Sequence, residues 1–407
     1  FLLRIEDTDR ERSTQQAVDV IFAGLEWMGI TPDEAPVFQS SREARHREVA
    51  LELLEKGLAY KCFCTPEELK EMREDAVKNG KPPRYNGLWR DRDPAEAPPG
   101  APYAVRIKAP REGETTITDL VQGEVRVANA ELDDMIILRS DGTPTYQHAV
   151  VVDDHDMAIT HVLRGDDHLT NTFRQAMIYR AMGWDLPRFG HLPLIHGPDG
   201  AKLSKRHGAQ SVVEFRDMGY LPEALCNYLL RLGWGHGDAE ILSREEQIKL
   251  FDIDGVGRAA SRMDYAKLEH INAVWLRQAD DERLTDDVME RLKSVEGVRV
   301  DETTRARVLA LMPGLKDRAR TLVELAENAA FLGRNVPLPL NQKAETLLTP
   351  EAPAMLVELA RDLAAISPFP PESIDAAPPR FAGTGAPHPA QQPTPFRAAL
   401  SGPHPSP

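Results

Sequence analysis

Three cysteines in 407 residues, Cys62, Cys64 and Cys226, are too few for a disulfide framework, which points to a reducing, cytoplasmic setting. No stretch approaches the run of about 18 apolar residues that a bilayer-spanning helix needs, so a membrane-embedded helical protein is excluded. An excess of positive charge is also lacking. The 49 basic against 64 acidic residues leave a net charge of −15, which argues against a chain that coats nucleic acid indiscriminately, although a local basic surface on an acidic body still binds RNA. No internal repeat of fixed period is found. Phe1-Leu2-Leu3-Arg4-Ile5 lacks the basic head and small-residue cleavage site of a signal peptide and reads as the middle of a buried strand, with the natural start upstream. The chain does have an ordinary globular composition, 42% hydrophobic and 28% charged, and at about 100 to 200 residues per domain it has room for two to four domains.

The opening strand is followed by Ser13 or Thr14 as a helix cap and by Val18, Ile21, Phe22, Leu25 and Met28 at helical spacing, with Gly29 as the stop. A second helix runs from about Ser41 to Gly57. A third opens at Thr65-Pro66-Glu67-Glu68, where cap, first-turn proline and capping-box glutamate agree. From about 81 to 140, short alternating runs broken by Gly and Pro read as an inserted β-rich module. Apolar segments then return at Ala149 to Val152, Ile159 to Leu163 and Leu192 to Ile195, with a helix over about 169 to 183. As strands alternating with helices, they predict a parallel sheet covered on both faces. Beyond about 213 the pattern is mainly helical to about 366. Residues 367–407 hold 12 of the 32 prolines and read as a poorly ordered tail.

Three stretches could carry chemistry. Gly197 to Gly208 is a glycine-bounded loop whose Lys202-Leu203-Ser204-Lys205-Arg206 concentrates cations and a hydroxyl, suited to the charge that develops on a triphosphate during nucleotidyl transfer. Arg4-Ile5-Glu6-Asp7-Thr8-Asp9 places carboxylates at the carboxyl end of a strand, where open α/β sheets bind ligands, and Glu6 could hold an amino group. Arg164-Gly165-Asp166-Asp167-His168 ends another apolar strand; Arg164 suits bidentate carboxylate recognition and the helix start suits anions. Taken singly, each stretch is also accounted for by a solvated turn or a helix cap.

Together with Pro144-Thr145-Tyr146 and Val150-Val151-Val152-Asp153-Asp154-His155, these stretches occur in the order and spacing of bacterial glutamyl-tRNA synthetases, which the chain resembles over about 1–366 and again at Pro395 to Leu400. Lys202 to Arg206 looks like that family's version of the class I Lys-Met-Ser-Lys-Ser signature. The resemblance implies an α/β Rossmann-type class I synthetase catalytic domain with an inserted acceptor-binding module, followed by an all-α anticodon-binding domain. Residues 1–65 and 141–212 would form the catalytic domain, the second part with the lysine loop, and 66–140 the inserted module. A stem-contact helical region would cover 213–284, the anticodon-binding domain 285–366, and the Pro-rich tail 367–407.

The implied reaction joins L-glutamate to AMP from ATP, with Mg2+ accompanying the nucleotide, and passes the glutamyl group to tRNA(Glu), with tRNA(Gln) an open second acceptor. The enzyme would act in the cytoplasm as a monomer. By position in the family's motifs, Glu6, Tyr146 and Arg164 would contact glutamate, while Val150, where some members carry an amide, can only pack. Asp167, His168, the backbone of Ile195, Ser204 and Lys205 would bind ATP. Lys202 and Lys205 would serve the phosphates in catalysis, Lys205 the more strongly, and Arg318 would read the third anticodon base.

The resemblance also places the family's His-Ile-Gly-His motif upstream of residue 1 and the last anticodon-domain helices beyond this chain, so a chain impaired by truncation is expected. Cys62-Phe63-Cys64 with Tyr85 falls where some relatives bind structural zinc, but Trp89 stands where another cysteine would be. Two thiolates do not make the usual tetrahedral set, and no metal site is expected. Two rivals remain. The cluster His148, Asp153, Asp154, His155, Asp156, His161, Asp166, Asp167 and His168 would suit a metal-dependent hydrolase, with Asp153 and Asp166 otherwise explained as caps after separate strands. A tRNA-binding remnant without catalysis is the other.

Overall fold

The computed structural model describes residues 1–8, 13–197, 199–203 and 211–335, together with Leu338, Ala354, Val357, Ala360 and Arg361. Ser204, Lys205 and the tail 367–407 lie outside these residues. The chain divides into two units, Phe1–Arg216 with Pro222–Tyr265, and Asp217–Leu221 with Ala266–Pro407.

In the first unit, β1 (Arg4–Ile5) runs parallel to β2 (Val37–Phe38), and α1 (Gln15–Trp27) lies between them in sequence. Thr14, the second of the two expected caps, accepts the Ala17 N–H. Helix α2 (Glu43–Glu55) buries His46, Val49, Ala50 and Leu53 at the spacing of one helical face. After β3 (Ala59–Cys62) comes α3 (Pro66–Lys78), closed at its start by the expected reciprocal pair: the Thr65 hydroxyl accepts the Glu68 N–H and the Glu68 carboxylate accepts the Thr65 N–H.

The expected β-rich stretch supplies β4 (Ala104–Ile107), β5 (Glu114–Asp119), β6 (Gly123–Ala128) and β7 (Ile136–Leu138). Strands β3, β4 and β7 pair antiparallel in that order. Helix α4 (Tyr146–Asp156), β8 (His161–Gly165), α5 (Leu169–Met182) and β9 (Arg188–Leu192) follow. The expected parallel pairing is that of β8 with β9, but β5 also joins β9 in parallel and carries β6 antiparallel on its far side, so the sheet, in the order β6-β5-β9-β8, is mixed.

Two strand expectations need correction. Ala149 to Val152 is not a strand but the middle of α4. Every residue from His148 to Asp154 is buried, and an apolar run enclosed on all sides carries no periodicity by which strand and helix can be told apart. Thr145 starts the helix in extended conformation, tied to β7 by its N–H to the Ile137 carbonyl and its hydroxyl to that of Ile136. The strand placed at Leu192 to Ile195 instead spans Arg188 to Leu192, because Pro193 has no N–H to continue the ladder. Gly190 permits the close approach of β8, since a Cβ there would lie 2.7 Å from Leu163 Cδ2.

The core beneath these elements gathers Leu53, Val105, Ile107, Ile137, Val151 and Ile178 from helices and strands far apart in sequence. Helices α6 (Val212–Asp217), α7 (Pro222–Gly233) and α8 (Arg244–Leu250) follow, and Trp234, Leu242 and Val256 pack with Val121 in a separate cluster. The second unit is helical: α9 (Tyr265–Gln278), α10 (Asp281–Leu292), α11 (Glu302–Lys316) and α12 (Leu322–Ala329). Asp280, Asp301 and Thr321 cap the last three by accepting backbone N–H groups. Leu268, Ile271, Leu284, Leu292, Val308 and Met312 fill its core.

Candidate active site

Three side chains from separate elements converge on one cavity of about 340 Å³: Glu6 just after β1, Tyr146 at the first turn of α4 and Arg164 near the end of β8. These are the residues expected to meet glutamate. Val150 and His168 complete part of the wall. Two further charged groups, Arg4 and Asp154, line the same space and were not among the residues expected to bind glutamate or ATP. The Arg4 guanidinium bridges Asp154 at 2.8 Å and Glu6 at 3.4 Å. Arg4 sits one alternation before Glu6, and that spacing was the signal available in sequence.

The electrostatics are strongly local. Burial alone would lower the proton affinity of Arg4, but Asp154, Glu6 and Asp153 outweigh it and hold the guanidinium above its ordinary value. Burial, helped by Glu6, raises the Tyr146 phenol, which therefore stays a neutral donor. Arg164 is lowered by burial, yet an arginine remains cationic throughout the useful pH range. One edge of its guanidinium is fixed: Nε donates to His191 Nε2 at 3.1 Å, and Nη2 to Thr172 Oγ1 at 2.8 Å and Gln175 Oε1 at 2.9 Å. The wall therefore offers two cations and two carboxylates in a small volume, complementary to a zwitterion with a further acid group.

The nucleotide-side residues adjoin this cavity in part. His168 lies with its ring 6.5 Å from that of Tyr146 and its Nδ1 3.1 Å from Asn171 Nδ2. Lys202 Nζ donates to Asp167 Oδ2 at 3.0 Å, a hydrogen bond that holds the Asp167 carboxyl below its usual value. The loop start folds back on the strand end: Lys202 bridges His196, and the Leu203 N–H donates to the Ile195 carbonyl at 3.0 Å. Ile195 thus meets the lysine loop through its backbone, with that carbonyl already engaged. Arg318 is exposed in the turn after α11, while its neighbours Lys316 and Arg320 are paired with Asp281 and with Glu269 and Glu324.

The metal-hydrolase reading fails on geometry. Asp153 is a mid-helix residue of α4, not a cap after a strand, and its carboxylate takes Arg42, His46 and Gln39. Asp154 takes Arg4, Asp156 takes Arg42 and Arg45, and the His155 ring stacks on Trp184 at 3.8 Å. Among the described residues no group of three or more His, Cys, Asp and Glu is placed to hold a metal ion. Cys62 packs with Tyr60 and Trp89, its sulfur 3.5 Å from the Tyr85 hydroxyl, and burial beside Cys62 pushes the Cys64 thiol up to about 12.

Comparison with known proteins agrees with this architecture. Residues 1–270 match the family tRNA synthetases class I (E and Q), catalytic domain, and residues 283–407 match the family Anticodon binding domain. Glutamate–tRNA ligase 1 of Gluconacetobacter diazotrophicus is 76% identical, covering 99% of this chain and 86% of that protein, and its namesake from Gluconobacter oxydans is 72% identical, covering 99% and 85%. A crystal structure of a glutamate tRNA ligase from Elizabethkingia meningosepticum, in complex with its amino acid, superposes with a TM-score of 0.83 at 31% identity, covering 100% of this chain and 88% of that one. The chain belongs to the class I tRNA synthetases of this family, in its glutamate–tRNA ligase branch.

Proposed function

We propose that this ligase joins L-glutamate to tRNA(Glu) through a glutamyl-adenylate, with Glu6, Tyr146 and Arg164 as the glutamate site. The observation that supports this reading is their convergence, from three separate elements, on one charged cavity. Glu6 and the Tyr146 hydroxyl accept from the ammonium group and Arg164 donates to a carboxylate, so that a carboxylate oxygen can attack the α-phosphorus of ATP while pyrophosphate leaves. Lys202 and Lys205 offset the negative charge that grows on the phosphates, with Mg2+ carried in by the nucleotide. Asp167, His168, Ser204 and the Ile195 backbone would bind ATP, as their positions in the family's motifs imply. A hydroxyl of the terminal ribose of tRNA then attacks the glutamyl carbonyl and AMP departs.

Residues 66–140 would receive the acceptor end and 213–284 the stem. Within 285–366, Arg318 would donate two parallel hydrogen bonds to the third anticodon base, favouring C over G by about 1–3 kcal/mol. The enzyme works as a monomer in the cytoplasm, where its tRNA is used, and no helix among the described residues is long and apolar enough to cross a membrane.

Two substitutions separate the roles. Lys205→Ala should slow ATP–pyrophosphate exchange, measured with tRNA present, by on the order of 10²–10³ with little change in glutamate affinity. Arg164→Gln should weaken glutamate binding, because the substrate acid loses its countercharge. An unaltered exchange rate or an unaltered affinity, respectively, would remove that residue from its role. Charging of purified tRNA(Glu) and tRNA(Gln), each by wild type and Arg318→Gln, settles acceptor choice; selectivity identical in both enzymes ends the claim for Arg318.

A further inference from the structure

Behind the cavity lies a buried acid–imidazole pair that contacts neither the solvent nor the space for substrate. Asp119 ends β5 and His191 lies in β9, and both side chains are fully buried. The two carboxylate oxygens have separate tasks. Oδ1 accepts the backbone N–H groups of Val121 at 2.9 Å, Gln122 at 2.8 Å and His191 at 3.1 Å, whereas Oδ2 lies 2.5 Å from His191 Nδ1. These hydrogen bonds hold the Asp119 carboxyl below its ordinary value despite burial. An ionised carboxylate only accepts, so the ring proton sits on Nδ1 and the Nε2 lone pair is left bare. That lone pair faces Arg164 Nε, which only donates, at 3.1 Å, and the Thr172 hydroxyl at the same 3.1 Å.

Burial and Arg164 lower the proton affinity of the ring, outweighing Asp119 and the nearby Asp166, so the ring is neutral. With Nε held by His191 and Nη2 by Thr172 and Gln175, the remaining nitrogen, Nη1, finds no hydrogen-bond acceptor among the described residues. We propose that His191, locked in its Nδ1–H tautomer by Asp119, is a positioning residue that aims the free edge of Arg164 at the carboxylate of the amino-acid substrate. This rests on the assignment of Arg164 to the glutamate site.

Asp119→Asn is the diagnostic variant. Three backbone N–H groups select the amide oxygen for the Oδ1 position, so the amide nitrogen must occupy the Oδ2 position and donate to His191 Nδ1. The ring proton is then forced onto Nε2, where it meets Arg164 Nε–H donor against donor, although shape and backbone contacts are kept. Titration calorimetry on the full chain, with glutamate alone and with ATP alone, should show glutamate affinity weakened about 10- to 100-fold and ATP affinity changed less than about 3-fold. His191→Gln, which can present a carbonyl oxygen near the Nε2 position, should recover most of the glutamate affinity that His191→Leu loses. Nitrogen-15 spectra of labelled histidine should show the wild-type ring protonated on Nδ1 and the Asp119→Asn ring on Nε2. A wild-type ring protonated on Nε2, or unchanged glutamate affinity in Asp119→Asn while Arg164→Gln weakens it, overturns the inference. Unchanged affinity in Arg164→Gln overturns the assignment of the glutamate site itself and removes the inference with it.

Discussion

The two units of the chain bury polar groups in different ways. In the first, ionisable side chains are enclosed in numbers: His46, Arg106, Asp119, Asp134, His148, Asp153, Asp154 and His191. They meet one another across long stretches of sequence, as Arg42 and His46 of the second helix region meet Asp153 of α4, and His191 meets Asp119. In the second, the described buried polar residues are Asn272, Thr285 and Thr304, all of them uncharged. Asn272 accepts the Leu221 N–H and donates to the Arg320 carbonyl, and Thr285 donates to the Asp281 carbonyl one turn earlier. Among the described residues the buried charge is thus confined to the first unit, where each carboxylate taken out of water meets hydrogen-bond donors, while the second unit relies on apolar packing and helix caps.

The comparison can be broken or sharpened by experiment. Asp153→Ala, which strands Arg42, Gln39 and His46, should destabilise the first unit by about 3–5 kcal/mol in denaturant titration. A loss below about 1 kcal/mol would mean that water replaces the carboxylate and that the network has little structural weight. In the second unit Leu284→Ala should cost about 2–5 kcal/mol, whereas Leu284→Met should cost less than about 1.5 kcal/mol. Equal losses would show that the helical core is shape-specific in a way that apolar volume does not capture.

Acid should distinguish the units further. Burial lowers His148 from 6.5 to about 4, its Nε2 donating to the His46 carbonyl. Its folded value is depressed, so the unfolded chain binds more protons between those values, and the contribution present above pH 6.5 is lost as pH falls towards 4. Between pH 7 and 5 that amounts to roughly 2 kcal/mol. The pH slope of first-unit stability over this range should flatten in His148→Gln, while an unchanged slope would remove His148 as its source. The smallest effect belongs to a single cap: Thr65→Ala should weaken α3 by about 1 kcal/mol, seen as faster hydrogen exchange of its first-turn amides. No change there would mean that Pro66 and Glu68 suffice.

Local chemistry was legible where a short segment decides its own structure. Thr65-Pro66-Glu67-Glu68 specifies a helix start, Thr14 caps α1, and the alternation in the inserted stretch gives its strands. The motif residues Glu6, Tyr146 and Arg164, singled out by their positions in sequence, do line one cavity. Arg4 was not assigned to the cavity and Asp154 was considered only as a metal ligand, because an arginine on β1 and an aspartate in α4 acquire this meaning only when paired at 2.8 Å.

The sequence by itself determined the caps at Thr14 and Thr65 and the buried face of α2, because each follows from residues a few positions apart. The tertiary structure alone decided that the apolar run 149–152 is helical, since burial on every side erases the period that separates helix from strand. It also decided that β5 joins the sheet of β8 and β9, and thereby that Asp119 reaches His191 and His191 reaches Arg164. A pairing between residues 72 positions apart depends on strand register, and register is set by which faces the whole core can bury.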